Sequence, residues 1–189
     1  MNRAASLTTL AACLTMAGCG LVMNAPRYSV HVSNTLALRE AGLAKASVGE
    51  IVKDPGSRHD VDHVKARAMT LGSPYGSFTA YLREALVAEL DHADLLSADS
   101  PVRIDGVLLR NEVVREGDND NVIAEAELTV TRDGVQVYRA RKTGRYEWRS
   151  TLPGDVAIPR MAANYQTGVQ RLVAAFIADP AFVAALRPR

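Results

Sequence analysis

Strict alternation of apolar and polar residues over residues 122–132 constrains the fold of this chain more than any other feature. One side carries Val122, Ala124, Ala126, Leu128 and Val130, while the odd positions carry mainly Glu and Thr. A period of two is that of a β-strand with one face buried and the other in water. The sequence therefore predicts a sheet that needs an apolar partner on one face only.

Four further segments have the composition of strands and are bounded by turn-forming residues. They are Arg27–Ser33, Ser47–Lys53, Val102–Val114 and Val135–Trp148. The last two flank residues 122–132 along the chain. We therefore expect a three-strand antiparallel meander, with residues 115–121 as its first hairpin loop.

The second hairpin turns at Asp133-Gly134, and its loop length sets the register. A three-residue loop with Gly134 in a G1 bulge would place Leu128 opposite Tyr138, whereas a two-residue loop would place Leu128 opposite Arg139. Because a shift of one residue moves every side chain to the other face, we predict the bulged loop, which keeps the apolar face apolar.

Two amphipathic helices are predicted, at about residues 74–95 and 159–178, followed by a short turn from Asp179 to Leu186. Ser73 would cap the first helix, with Pro74 at its first position. Apolar residues at helical spacing are Phe78, Leu82, Leu86 and Leu90 in the first helix, and Met161, Tyr165, Val169, Leu172, Val173 and Phe176 in the second. The order β-β-α-β-β-β-α predicts a two-layer α+β sandwich, with a mainly antiparallel sheet and both helices on one face.

The N-terminus has the pattern of a secretory signal, because Arg3 precedes a short apolar stretch that ends at small residues. Met16-Ala17-Gly18-Cys19 resembles the lipobox of bacterial lipoproteins, whose cysteine is acylated and becomes the mature N-terminus. Leu10-Ala11-Ala12-Cys13 also matches the lipobox but leaves only about nine residues for the apolar core. We therefore predict lipid attachment at Cys19.

Cleavage before Cys19 divides the chain into a signal peptide (1–18), a lipidated tether (19–27) and a single α+β domain (28–189). Several acyl chains would hold the protein on its membrane permanently. In the lipoproteins that this chain resembles, Asp after the cysteine favours the inner membrane. Gly20 therefore implies the periplasmic face of the outer membrane.

Charge and cysteine content exclude several functional classes. Lys and Arg total 22 against 21 Asp and Glu, so the chain lacks the basic surface expected of a nucleic-acid-binding protein. Both cysteines, Cys13 and Cys19, lie in or at the end of the leader. The remaining chain therefore has no residue for a disulfide, a cysteine nucleophile or a thiolate metal site.

Behind the lipobox, the chain resembles small envelope lipoproteins typified by YajG and by the auxiliary lipoprotein of some ABC-type lipid transporters. The matching features are the helix stripe at residues 81–90 (YLREALVAEL) and the strand at residues 124–134. Glu147-Trp148-Arg149-Ser150 and Ala157-Ile158-Pro159 also look like features of uncharacterised proteobacterial lipoproteins. The resemblance implies a partner of membrane machinery, supplies no catalytic residue and leaves residues 36–71 unexplained.

Three motifs could carry chemistry, and each has a structural interpretation that we favour. His59 and His63 would share a helix face, as in zinc sites, but lack an internal glutamate base. The Asp118–Asn121 run offers oxygen ligands for calcium, yet it has the composition of a hairpin tip. Ser73 lies in neither a G-x-S-x-G motif nor a P-loop.

A basic stripe runs along the last predicted strand. It comprises Arg139, Arg141, Lys142, Arg145 and Arg149. These residues could contact anionic lipid headgroups, but Glu125, Glu127 and Glu147 are near enough to pair with them. Tyr146 and Trp148 have the opposite parity, and we expect them in the core rather than in an exposed aromatic contact.

The sequence therefore predicts a non-enzymatic lipoprotein with no catalytic, cofactor-binding or metal-binding residue. It would act as an accessory or scaffold subunit that binds another envelope protein or a lipid. A metal-dependent hydrolase with a site near His59 and His63 is the alternative.

Overall fold

A computed structural model describes residues 22–57, 60–67 and 69–188. The elements are β1 (Val22–Asn24), α1 (Val32–Glu40), β2 (Ser47–Lys53), β3 (Val64–Ala66), β4 (Met69–Gly72), α2 (Phe78–His92), β5 (Val102–Glu116), β6 (Asn119–Arg132), β7 (Val135–Arg149), α3 (Gly154–Ile177) and α4 (Pro180–Leu186). They form an α+β sandwich, which confirms the predicted fold class.

The larger sheet has the strand order β2-β5-β6-β7. Its neighbours are antiparallel, except that β2 runs parallel to β5. Helix α2 packs on β2 and β5, and α3 packs on β6 and β7, with the two helices in contact. The even-numbered apolar residues of β6 are buried beneath them, so both long helices cover one face, as predicted.

A smaller sheet has the strand order β1-β4-β3 and was not predicted. Its first strand lies in the predicted tether, whereas β3 and β4 lie at the end of the segment that the resemblance leaves unexplained. Strand β1 pairs parallel to β4, and β3 pairs antiparallel to it. The Asn111 amide of β5 donates to the Val61 carbonyl at 2.8 Å, which joins the larger sheet to the turn before β3. Strands of three or four residues are too short to show a period.

The predicted strand at Arg27–Ser33 is wrong. Residues 25–31 are outside regular structure, and α1 begins at Val32, whose side chain is exposed. The Tyr28 N–H donates to the Tyr75 hydroxyl and the His31 N–H donates to a carboxylate on α2, each at 3.0 Å. Because these donors bond to side chains instead of a neighbouring strand, the alternation of Tyr28, Val30 and Val32 does not reflect sheet pairing.

Both long helices begin at residues other than those predicted. Ser77, not Ser73, caps α2, and its Oγ accepts from the Ala80 N–H at 3.0 Å. Ser73 accepts from the Tyr75 N–H in the preceding turn, where Gly76 has a φ of +86°. Helix α3 begins at Gly154 and includes Pro159 in its second turn.

The first hairpin is tighter than predicted. Strands β5 and β6 continue to Glu116 and Asn119, so Gly117 and Asp118 alone form the turn. Gly117 has a φ of +60°, which favours glycine. Asp120 and Asn121 looked like loop residues but are buried within β6, so the predicted loop over residues 115–121 is wrong.

The second hairpin has a two-residue turn, in which Asp133 and Gly134 both have positive φ, as in a type I′ turn. A bulge at Val137 then shifts the register so that Val130 lies opposite Tyr138, and Leu128 opposite Ala140. The predicted loop and the Leu128–Tyr138 pairing are wrong. The physical requirement behind them is nevertheless met, because apolar residues still face apolar residues.

The final turn forms as predicted, as α4. Asp179 caps it by accepting from the Ala181 N–H, and its other oxygen accepts from Lys142 Nζ at 2.8 Å and Tyr138 OH at 2.9 Å. Hydrogen bonding from Lys142, followed by that from the Ala181 N–H, lowers the pKa of Asp179 to about 2. Asp179 thus attaches α4 to β7.

Helix α3 and strand β7 approach closely because two glycines face each other. A Cβ on Gly144 would overlap the Leu172 nitrogen and the Gly168 carbonyl oxygen, and a Cβ on Gly168 would overlap the Val122 side chain. The core at this point has no space for even one methyl group.

We expect Gly144→Ala to lower the free energy of unfolding by about 1–3 kcal/mol, because β7 and α3 would have to separate. Gly154→Ala is the matched control, because its Cβ would meet only Ile158 at 3.8 Å. Urea unfolding of both variants measures the difference. Equal stability of the two variants would contradict the close packing of α3 on β7.

Candidate functional site

A buried carboxylate on α2 fixes the N-terminal segment of the described chain. Glu89 is 1% exposed. Its Oε1 accepts from Tyr28 OH at 2.7 Å, the His31 N–H at 3.0 Å and Asn34 Nδ2 at 3.1 Å, and its Oε2 accepts from Thr35 Oγ1 at 3.4 Å. Among the described residues, none forms an ion pair with it.

These hydrogen bonds set the position of residues 28–35, because a carboxylate removed from water must be compensated by donors. Burial and the nearby Glu89 charge raise the pKa of Tyr28 far above its usual range, so its hydroxyl stays a donor. Asn34 Nδ2 also donates to the Gln170 carbonyl at 3.2 Å. The segment is therefore held by both α2 and α3.

Sequence reasoning missed Glu89. The available signal was its position on the apolar stripe of α2, four residues after the buried Ala85. A charged residue at such a position is almost always paired or hydrogen-bonded, but the sequence does not show which donors reach it.

The fold begins closer to Cys19 than the predicted domain boundary at residue 28. Val22, Met23 and Asn24 pair with Thr70, Leu71 and Gly72 of β4, and Ala25 is buried. Residues 22–27 of the predicted tether are thus part of the folded body. Cys19 itself lies outside the described residues, and its lipidation stays a prediction.

The His59–His63 cluster falls partly outside the described residues, because His59 is not among them. Its carboxylates hold the fold together. Asp62 accepts from the Phe78 N–H at the start of α2 and pairs with Lys53 Nζ at 2.7 Å. Asp60 accepts from the Asp62 N–H and thereby forms a turn. Within the described ranges, no three His, Cys, Asp or Glu residues could together hold a metal ion.

His63 lines an open cleft of about 370 Å³ between residues 60–65 and residues 110–114 of β5. The volume falls within the range of small-molecule sites. Its walls combine apolar residues, such as Val113 and Val114, with charged residues of both signs, such as Lys65 and Asp60. Walls of such mixed polarity are typical of a surface that contacts another molecule partly through polar groups.

The β5–β6 tip, which contains the possible calcium ligands of the Asp118–Asn121 run, is tied to neighbouring segments. Arg67 Nη2 donates to Asp120 Oδ2 at 3.2 Å, Ser150 Oγ at 2.6 Å and the Thr151 carbonyl at 2.8 Å. The Ser150 N–H donates to the Asp118 carbonyl at 2.8 Å. The buried Asp120 carboxylate therefore forms an ion pair with an arginine.

The basic stripe on β7 is mostly ion-paired. Contacts join Arg139 to Glu127 at 2.6 Å, Arg141 to Glu125 at 3.5 Å, and Arg145 to Glu116 at 2.6 Å and to Glu147 at 3.4 Å. Lys142 pairs with Asp179 on the helix-covered face. This supports pairing across strands rather than a free cationic surface.

The aromatic pair near the end of β7 belongs mainly to the core, as predicted. Trp148 is buried, and Tyr146 is half-buried and stacked on it with ring centroids 5.8 Å apart. Arg171 of α3 lies 4.9 Å above the Tyr146 ring, which covers the outer side of this pair.

The fold has known counterparts. A Xanthomonas campestris protein assigned to the family DUF330 is 12% identical with a TM-score of 0.57, and the match covers 86% of this chain and 96% of that one. A hypothetical protein of Chlamydia trachomatis is 11% identical (TM-score 0.48; 76% and 99% covered). A Caulobacter crescentus CB15 protein, provisionally assigned as a lipoprotein, is 13% identical (TM-score 0.47; 83% and 99% covered).

No family model and no curated relative matches this chain. At 12% identity, the likeness to the Xanthomonas protein shows a shared fold, and the resemblance to YajG-type lipoproteins stays a prediction.

In the described part of the chain, none of the helices is by itself long and apolar enough to cross a membrane. Helices α3 and α4 reach that length and apolar character only when taken together, and the chain bends by 73° between them. Their apolar faces are largely buried in the core.

We expect Glu89→Ala to lower the free energy of unfolding by about 2–4 kcal/mol, because it leaves buried donors of Tyr28, Asn34 and His31 without acceptors. Hydrogen exchange should become faster over residues 28–35 in particular. Glu84→Ala on the exposed side of α2 is the control and should change stability by less than about 0.5 kcal/mol. Unchanged exchange in Glu89→Ala would contradict the role of this carboxylate.

Proposed function

We propose that this chain is a non-enzymatic, lipid-anchored envelope protein that acts as an accessory or scaffold subunit for another envelope protein or a lipid. The observation that carries the proposal is the start of β1 at Val22, three residues after the lipobox cysteine Cys19. A fold fixed so near the attachment point is suited to a protein that works at a membrane surface.

The lipid anchor is inferred from the lipobox and from the short connection between Cys19 and the first strand. Three residue steps from Cys19 to Val22 span at most about 11 Å. Several acyl chains on the cysteine would hold the body at the bilayer permanently, whereas one chain would bind only reversibly. Gly20, which is not Asp, favours the periplasmic face of the outer membrane.

The accessory role is supported by how the polar groups are used. Glu89, Asp62, Asp120 and Asn111 each bind segments of the fold to one another. The cleft between residues 60–65 and 110–114 offers an open surface of mixed polarity where a partner would bind. The alternative, a metal-dependent hydrolase, would need a third ligand beside His59 and His63, and Asp62 already binds Phe78 and Lys53.

Growth with labelled palmitate tests the anchor. The full-length protein should incorporate label and float with membranes, whereas Cys19→Ser should incorporate none and be released in soluble form. Cys13→Ser is the matched control and should behave as the original chain. Label that persists in Cys19→Ser but is lost in Cys13→Ser would move the attachment to the alternative lipobox.

Site-specific photo-crosslinking in intact envelopes tests the partner. A photoreactive residue at Lys65, in the cleft, should give one reproducible adduct with an envelope protein or a lipid. The same residue at Arg141, on the ion-paired sheet face, serves as the control and should give several-fold less of that adduct. Equal labelling at the two positions would contradict the cleft as the partner surface.

A further inference from the structure

The described chain brings four separate segments together at one end of the molecule, here called the anchor end. They are the start of β1 at Val22, the β3–β4 turn at Arg67, the β5–β6 tip at residues 117–118, and residues 150–156. Val22 pairs with Thr70, near the start of β4 and therefore near the turn. Arg67 binds Ser150 and Thr151, and Ser150 binds Asp118.

The anchor end exposes three large apolar side chains to solvent. Leu152 is 83% exposed, Val22 is 64% exposed and Val156, in the first turn of α3, is 50% exposed. Single exposed apolar residues are ordinary, but several at one end are typical of a surface that meets another molecule or a membrane.

Exposed arginines accompany these residues. Arg160 lies four residues after Val156 and therefore on the same face of α3, and Arg149 ends β7 next to Ser150. Neither forms an ion pair with any residue that the structure describes. Apolar side chains beside unpaired arginines fit the boundary between acyl chains and anionic headgroups.

We infer that the anchor end is a membrane-contact surface, in which Leu152, Val156 and Val22 enter the bilayer interface while Arg149 and Arg160 contact lipid phosphates. This inference rests on the proposed lipid anchor at Cys19. A connection of at most about 11 Å keeps Val22 within reach of the interface, so the occupant of this surface is the bilayer that holds the acyl chains.

The contact also sets the orientation of the protein. Strand β6 runs for 14 residues from the β5–β6 tip to the Asp133–Gly134 turn, a length of about 45 Å. The tip lies against the bilayer, and the Asp133–Gly134 turn points away from it. Val135, which is 64% exposed beside that turn, is therefore a control position remote from lipid.

Fluorescent labelling tests this orientation, because a chain processed at Cys19 has no other cysteine. Leu152→Cys and Val135→Cys would each carry an environment-sensitive dye in the acylated protein. The vesicles would contain phosphatidylethanolamine, phosphatidylglycerol and a nitroxide-labelled lipid. The nitroxide should quench the dye at position 152 several-fold more than the dye at position 135. Both positions are exposed, so we expect each variant to keep the original fold.

The outcomes separate this inference from the proposed anchor. If both proteins float with the vesicles but the two dyes are quenched equally, the orientation is overturned and the anchor stands. If palmitate is absent and neither protein floats, the anchor fails and the orientation fails with it.

Discussion

The buried Glu89 carboxylate is the constraint on which the placement of residues 28–35 depends. Its negative charge lies in the core and is compensated by four donors from residues 28–35 rather than by a cation. Hydrogen bonds to a charged group are stronger than neutral ones and have defined directions. The carboxylate therefore specifies where the chain enters the fold, in addition to stabilising it.

The main sheet and its helices could be predicted because they are long enough to show a period. Residues 122–132 alternate cleanly, and the stripes of α2 and α3 match their buried faces. Local chemistry was less informative, because two serines compete to cap α2 and two hairpin geometries can each keep an apolar face. The bulge at Val137 shows that the sheet satisfied the predicted requirement by another route.

Contacts between distant segments could not be predicted in the same way. Residues 28–32 alternate like a strand, yet the Tyr28 hydroxyl and the His31 N–H donate to Glu89, some 60 residues away along the chain. Cys19 is the one candidate site that the sequence supplied directly, and its lipidation awaits the palmitate experiment. What the sequence could not supply was its distance from the first strand, because β1 is only three residues long and pairs with the equally short β4.

The bonds that hold the N-terminal segment also determine the order in which the molecule is assembled. Asn34 bonds to the carbonyl of Gln170, which is 136 residues further along the chain, and Gln170 bonds back to Ser29. This docking requires α3, which is the last long element to be synthesised. Because contacts between such distant residues form late, residues 28–35 can take their final position only after α3 has folded.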